Sequence, residues 1–288
     1  MTIRNCFIAS LLFCLLTAVA VAQGTGNRTV ILTGFIPIPE QKLQEGYVRI
    51  FDNTSMFGWR GNPRDSFINN GQLHFTGRVA DTPFYFLGFS AVPWNIMSGT
   101  DTARPEGVMT PLFDGETLSG WTIRGDVQVV VENGAIKLTG GTGSLESDKE
   151  YGDFVLQLEY KTDKVVNSGV FFRCIPGQVM NGYECQILNN PSDRDSQGNI
   201  GAGTGGIFRR QIGRNVGPKD GEWNYLTIAA RGPRMATWVN GIQVTDWTDE
   251  RASHENPRNG LRTKAGTIQL QGHDPETEIW FRNIRIWE

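Results

Sequence analysis

The sequence predicts an all-β protein, an antiparallel sandwich or barrel, and three observations carry that prediction. Turn-forming residues are abundant, with 35 glycines and 13 prolines in 288 residues. Short stretches alternate apolar and polar side chains, and few segments sustain a helical period. Asn70-Gly71, Asn133-Gly134 and Asn240-Gly241 each sit between such stretches, and Asn-Gly favours the two-residue turn whose twist suits a hairpin. The clearest case is RMATWV (Arg234–Val239) followed by IQVTDW (Ile242–Trp247). Helix is confined to one or two short pieces, near Ile38–Gln44.

The first 22 residues read as a secretory signal peptide. Arg4 precedes an apolar run from Cys6 to Val21, and Ala20-Val21-Ala22 offers small residues for cleavage after Ala22. The run is short for a spanning helix, and no later segment approaches that length. A periplasmic or secreted protein with no membrane span in the mature chain is expected. The formal net charge is −3, with no basic run to hold a phosphate backbone, so nucleic acid is excluded as a partner.

Two regions follow. Residues 23–108 form an N-terminal β segment that echoes the start of the main domain. Phe51-Asp52, Gly58-Trp59, Asn70-Gly71 and Thr76-Gly77 recur in order as Phe113-Asp114, Gly120-Trp121, Asn133-Gly134 and Thr139-Gly140. That order favours a partial duplication. Residues 109–288 carry the denser pattern and the main sandwich. There Phe154, Leu156, Leu158, Phe172, Ile187, Ile228, Ile268 and Leu270 fall on inward positions.

The centre of that domain is NSGVFFRCIPGQVMNGYECQILNN (Asn167–Asn190), two strands joined by a Gly/Pro loop. Alternation puts Phe171 and Arg173 on one face of the first strand, and Glu184 and Gln186 on one face of the second. Pairing Arg173 near Gln186 would gather Arg173, Glu184 and Gln186 on a single polar surface, the composition of a sugar-binding face. Paired charges on a solvated sheet, which only stabilise the ladder, are the competing reading. On the same parity Cys174 and Cys185 share the other face. Their Cα atoms are then expected within about 7 Å, so a cross-strand disulfide and two buried thiols are both open.

A second segment, TIQLQGHD (Thr267–Asp274), places Gln269, Gln271 and His273 on one face. Arg173, Glu184 and His273 supply a cation, a carboxylate and a base, and Asn167, Phe171, Gln186 and Gln271 supply positioning groups for a polyhydroxyl ligand. Ordinary glycoside hydrolysis needs two carboxylates flanking the bond. Only Glu184 stands out here, with Asp274 a distant second, so a plain glycosidase is not supported. The Gly-rich stretch Gly198–Arg210 has no helix after it to supply a dipole, which argues against nucleotide binding.

The blocks FDGETLSGW, YGDFVLQLEYK, NSGVFFR, GYECQI, GEWNYLTIAARG, WVNG, LQGH and FRNIRI, in that order, resemble the 3-keto-disaccharide hydrolase domain family over Pro111–Trp287. The resemblance implies a two-sheet antiparallel jelly roll of the concanavalin A-like kind with a concave binding face. It implies an exported setting and cleavage of glycosides already oxidised to a ketone at carbon 3. It also implies a divalent cation in some members; no cofactor motif is evident otherwise, and Glu184 and His273 are the candidate ligands here. Phe208 stands where the family often has Tyr, and Asp274 where Gly is usual. A 3-ketone acidifies the carbon-2 proton, so one base and one electrophile would suffice. Glu184 or His273 is then base or metal ligand, and Arg173 the oxyanion or substrate clamp. Asn167, Phe171, Gln186 and Gln271 are left to bind the sugar. A non-catalytic carbohydrate-binding module on the same sandwich is the alternative.

Overall fold

The computed structural model describes residues 31–32, 38–49, 57, 59–60, 66–69, 72–75, 85–86, 94–96, 102–105, 107–163, 166–189, 203–214, 216–273 and 275–288. The expected signal peptide, Asn70-Gly71, the start of the Gly-rich stretch and Asp274 lie outside the described residues.

Two antiparallel sheets face each other. The first, the site sheet, has five strands in the order Trp121–Gly125, Gly143–Ser147, Thr267–Gly272, Ser168–Cys174 and Tyr183–Ile187. The second, the back sheet, has eight, including Phe154–Thr162, Glu278–Trp287, Asn224–Arg231 and the Arg234–Val239/Ile242–Thr248 hairpin. All eight residues expected in the core are at most 3% exposed. Burying each such side chain contributes about 1.5–3 kcal/mol before the entropy of ordering it is subtracted. Phe154 of the back sheet meets Phe172 of the site sheet edge to face, centroids 5.8 Å apart, and Phe172 stacks on Tyr183 at 5.6 Å.

The Asn-Gly turns form as their chemistry dictates. Asn133 and Gly134 have φ of 51° and 74°, and Asn240 and Gly241 have 50° and 78°. Positive φ at both central residues suits a two-residue hairpin, and the registers close on Glu132↔Ala135 and Val239↔Ile242. The echoing N-terminal stretch pairs in the same way, with Ser66–Asn69 and Gln72–Phe75 closing on Asn69↔Gln72. The short helix falls at Glu40–Gln44.

Residues 38–49 lie against the outer face of the back sheet. Gln157 Nε2 donates to the Gly46 carbonyl at 2.8 Å, Trp238 Nε1 to the Arg49 carbonyl at 3.1 Å, and the Arg49 N–H to the Gly241 carbonyl at 2.7 Å. A Cβ on Gly241 would stand 2.7 Å from Ile38 and 2.8 Å from Leu43. The turn glycine is therefore needed twice, for its φ and for this contact.

A bulge in Ser168–Cys174 changes the central strand. Val170↔Leu270 and Phe171↔Gln269 share one register, while Cys174↔Thr267 is shifted by one residue. Arg173 sits at the shift with φ of 51°. Its side chain therefore leaves the polar face on which simple alternation put it. Fully buried, it donates from Nε to the Gly152 carbonyl (3.0 Å) and from Nη1 to the Gly232 (2.6 Å) and Arg262 (3.2 Å) carbonyls. Nη2 meets Asp153 at 3.0 Å. Gly152, Asp153 and Gly232 flank strands of the back sheet, so Arg173 ties the two sheets together.

The same bulge separates the cysteines. Cys185 pairs with Val170 and faces the core, whereas Cys174 pairs with Thr267, whose hydroxyl reaches Glu146 on the polar face. They lie on opposite faces and four residues apart along the ladder, about 13 Å, too far for the expected bridge. Both are free and buried. Burial raises the pKa of each thiol, which leaves them unreactive.

Two outcomes follow from the bulge. Arg173→Ala strips three buried carbonyls of their donor and should destabilise the fold by about 3 kcal/mol, read as a fall in denaturation midpoint. Alkylation of the denatured, unreduced protein should label both Cys174 and Cys185. A recovered Cys174–Cys185 cross-linked peptide would contradict the register.

Candidate functional site

The outer face of the site sheet is a lattice of polar side chains in two rows. Register aligns Gln186, Gly169, Gln271 and Ser144 in one row, and Glu184, Phe171, Gln269 and Glu146 in the next. Glu184, Gln186, Gln269, Gln271 and Glu146 are all at most 5% exposed. They are covered by three loops: the hairpin connection around Gly177–Met180, the segment around Phe208, and the segment carrying Arg258. The second of these also protects the sheet edge, with the Phe208 N–H donating to the Glu184 carbonyl and the Gly205 N–H to the Gln186 carbonyl.

Glu184 is the carboxyl of this face whose pKa is raised. Burial raises its pKa from the ordinary 4.5 to about 7, against the opposing pull of Arg258, whose Nη2 lies 3.2 Å from Oε2. Gly169 makes room for it: a Cβ there would come within 3.1 Å of the Glu184 Cγ and Oε1. Arg258 also donates to the Met180 carbonyl and lies 5.1 Å from the Phe171 ring centre. Phe171 is fully buried beneath it, closed to stacking against a sugar.

Glu146 is the opposite case. Burial pushes its pKa up, but hydrogen bonds from the Thr267 hydroxyl (2.7 Å), Arg124 Nε (2.6 Å) and the Gly177 N–H (3.0 Å) outweigh that and hold it below the ordinary value. Gln269 completes the cluster, donating to Glu146 and the Gln178 carbonyl and accepting from the Ser144 hydroxyl and the Met180 N–H. Three strand spacings separate Glu146 from Glu184, about 14 Å, beyond the separations used by paired glycosidase carboxylates.

His273 stands at the far end. Its Nε2 is 3.2 Å from Asn167 Nδ2, and Asn167 Oδ1 accepts from Gln186 Nε2 at 2.8 Å. The structure therefore joins His273, Asn167 and Gln186 in one chain of contacts. It does not join His273 to Glu184: the register holds their backbones roughly 15 Å apart. The two cannot share one ion in this arrangement, and no group of three His, Cys, Asp or Glu side chains converges as a metal site among the described residues. Gln271 donates to Met180 Sδ at 2.9 Å. The side-chain oxygens of Gln186 and Gln271 are buried without a hydrogen-bond partner among the described residues.

Sequence reading missed Arg258 and Glu146, and put Gln269 on this face without giving it a role. Glu146 was reachable by parity, since it alternates with the core residue Leu145. Arg258 lies in an irregular segment, where alternation carries no signal.

Compared with known proteins, residues 108–287 match the 3-keto-alpha-glucoside-1,2-lyase-like domain family. The chain belongs to this family. A curated relative, the 3-keto-disaccharide hydrolase of Bacteroides thetaiotaomicron, is 25% identical over 236 residues, spanning 63% of this chain and 78% of the relative. Two solved structures from Parabacteroides distasonis, both described as candidate glycosyl hydrolases, superpose on the sandwich. One is 27% identical with a TM-score of 0.53, covering 63% of this chain and 100% of that one. The other is 21% identical with a TM-score of 0.50, covering 62% of this chain and 92% of that one, a likeness of fold. As a member of the 3-keto-alpha-glucoside-1,2-lyase-like family, the chain is a hydrolase-like, carbohydrate-related protein on a β-sandwich. No helix among the described residues is long and apolar enough to cross a membrane.

The raised Glu184 pKa has a thermodynamic sign. The folded state holds its proton to about pH 7 while the unfolded chain releases it near 4.5. Wild-type stability relative to Glu184→Gln should therefore decline as pH rises across that window and level off above it. Denaturant unfolding at pH 5 and pH 8 measures this; a difference independent of pH would mean that Glu184 titrates normally.

Proposed function

We infer that this chain is an exported enzyme that cleaves 3-keto-glycosides, with Glu184 as the base. The observation that carries the reading is that one of the face's two buried carboxyls, Glu184, titrates near neutrality beside an arginine on a face of amides. A group with pKa near the working pH is both ionised enough to accept a proton and basic enough to remove it.

The chemistry follows from the ketone. Glu184 takes the proton from carbon 2, and the electron pair of that bond flows into the ketone, placing negative charge on the oxygen at carbon 3. Arg258, already beside the carboxylate, stabilises that charge in a site screened from water. The enolate returns its electrons to form a double bond between carbons 1 and 2. This expels the glycosidic oxygen, which leaves as an alcohol after taking a proton. Addition of water to the double bond would complete hydrolysis. Gln186, Gln271 and Asn167 bind hydroxyls, and Arg258 takes the clamp role that sequence parity gave to Arg173. No step is routed through a metal ion, because Glu184 and His273 stand too far apart to hold one together.

A non-catalytic carbohydrate-binding face is the second reading, and one observation favours it. His273 and Arg173 do not converge with Glu184, while the partnerless oxygens of Gln186 and Gln271 suit sugar hydroxyls with no chemistry needed.

One experiment separates the two. The purified protein should cleave a 3-keto-glycoside and leave the parent glycoside intact. Glu184→Gln should lower turnover by about 10²-fold or more while substrate binding survives. Binding without product from any 3-keto-glycoside would establish the lectin reading instead.

A further inference from the structure

We propose that the Glu184 end of this face recognises an anionic sugar, one bearing a carboxylate, through Arg209 and Arg258. This deepens the reading above and rests on it, since the same face must hold the glycoside.

The argument is one of donors and charge. Arg209 and Arg258 both lie against Phe208, with guanidinium centres 5.2 Å and 5.9 Å from its ring centre. Arg258 uses only Nη2 on the protein, for the Met180 carbonyl and Glu184. Its Nε and Nη1 have no partner among the described residues. The Arg209 guanidinium makes no hydrogen bond or ion pair among them at all, yet it acts electrostatically on Glu184. Arg209 is exposed and held in the left-handed region at φ 61°, a conformation that costs a non-glycine residue energy.

Nearby carboxylates are already committed. Asp249 is taken by Arg251 and Tyr183, Glu255 by Arg262, Asp153 by Arg173, and Glu146 by Arg124. Arg210 is no competitor for an anion, since its guanidinium is spent on the carbonyls of Arg209 and Arg258. Two guanidinium groups thus face a single carboxylate, in a protein whose overall charge is −3. A neutral sugar offers hydroxyls that would leave this excess positive charge uncompensated. A carboxylate offers two oxygens that match the guanidinium fork.

The test compares matched substrates: a 3-keto-glycoside whose other sugar is a uronate, the same compound with a neutral hexose, and a sulfated version. For wild type, kcat/KM for the uronate should exceed that for the neutral compound by about fivefold or more, the scale of a partly exposed ion pair. The preference, read as the ratio of kcat/KM for the two compounds, should shrink between about 50 mM and about 500 mM salt and vanish in Arg209→Gln. Sulfate favoured over carboxylate would overturn the carboxylate assignment. Equal kcat/KM for uronate and neutral sugar, or a preference indifferent to Arg209→Gln, would overturn the anion site while leaving the reaction in place. If no compound is cleaved, calorimetric binding decides: an Arg209-dependent preference for the uronate supports the anion site even as the proposed reaction fails. Equal binding rejects it.

Discussion

The bond that most of this architecture depends on is the one Arg173 makes between the sheets. A β-sandwich is held chiefly by side-chain packing, which is non-directional and leaves the sheets free to slide at their ends. Arg173 adds a directional tie, placing a fixed fork of donors on three backbone carbonyls and one carboxylate. The bulge that delivers it also sets what remains on the outer face. With the arginine withdrawn, the middle of that face is Phe171 and Gly169, and the charged groups are displaced to either side.

That displacement gives two buried carboxyls two different acidities. Glu146 is surrounded by donors and stays ionised, serving as a fixed anchor for the Gly177–Met180 loop. Glu184 accepts a side-chain hydrogen bond from Arg258 alone among the described residues, so desolvation prevails. One sheet face thus holds a structural carboxylate and a titratable one, distinguished only by the number of donors each meets.

The sandwich was legible because its signal is local. Alternation places Leu156, Ile228 and Leu270 correctly whatever their partners, and Asn-Gly marks its own turns. The site was legible in part. Glu184, Gln186 and Gln271 keep regular backbone on either side, so parity puts them on the correct face. Arg173 and Cys174 do not, because an inserted residue reverses parity for everything beyond it, and nothing in VFFRC announces the insertion. The joint metal role of Glu184 and His273 failed for another reason: a shared face says nothing about distance along it. Arg258 was invisible because loops have no period.

The docking of residues 38–49 on the back sheet carries a consequence for biosynthesis. The Arg49 carbonyl waits for an indole 189 residues further along the chain, and the Arg49 N–H for the turn just beyond it. Translation therefore produces this segment well before its binding surface. In that interval Thr102–Pro105, which pairs with Val48–Arg49, and later Gln157 are on hand, and the loop to the hairpin spans most of the protein. The Arg234–Thr248 hairpin must therefore be in place before residues 38–49 can dock on the back sheet, so this contact forms later than the strands that receive it.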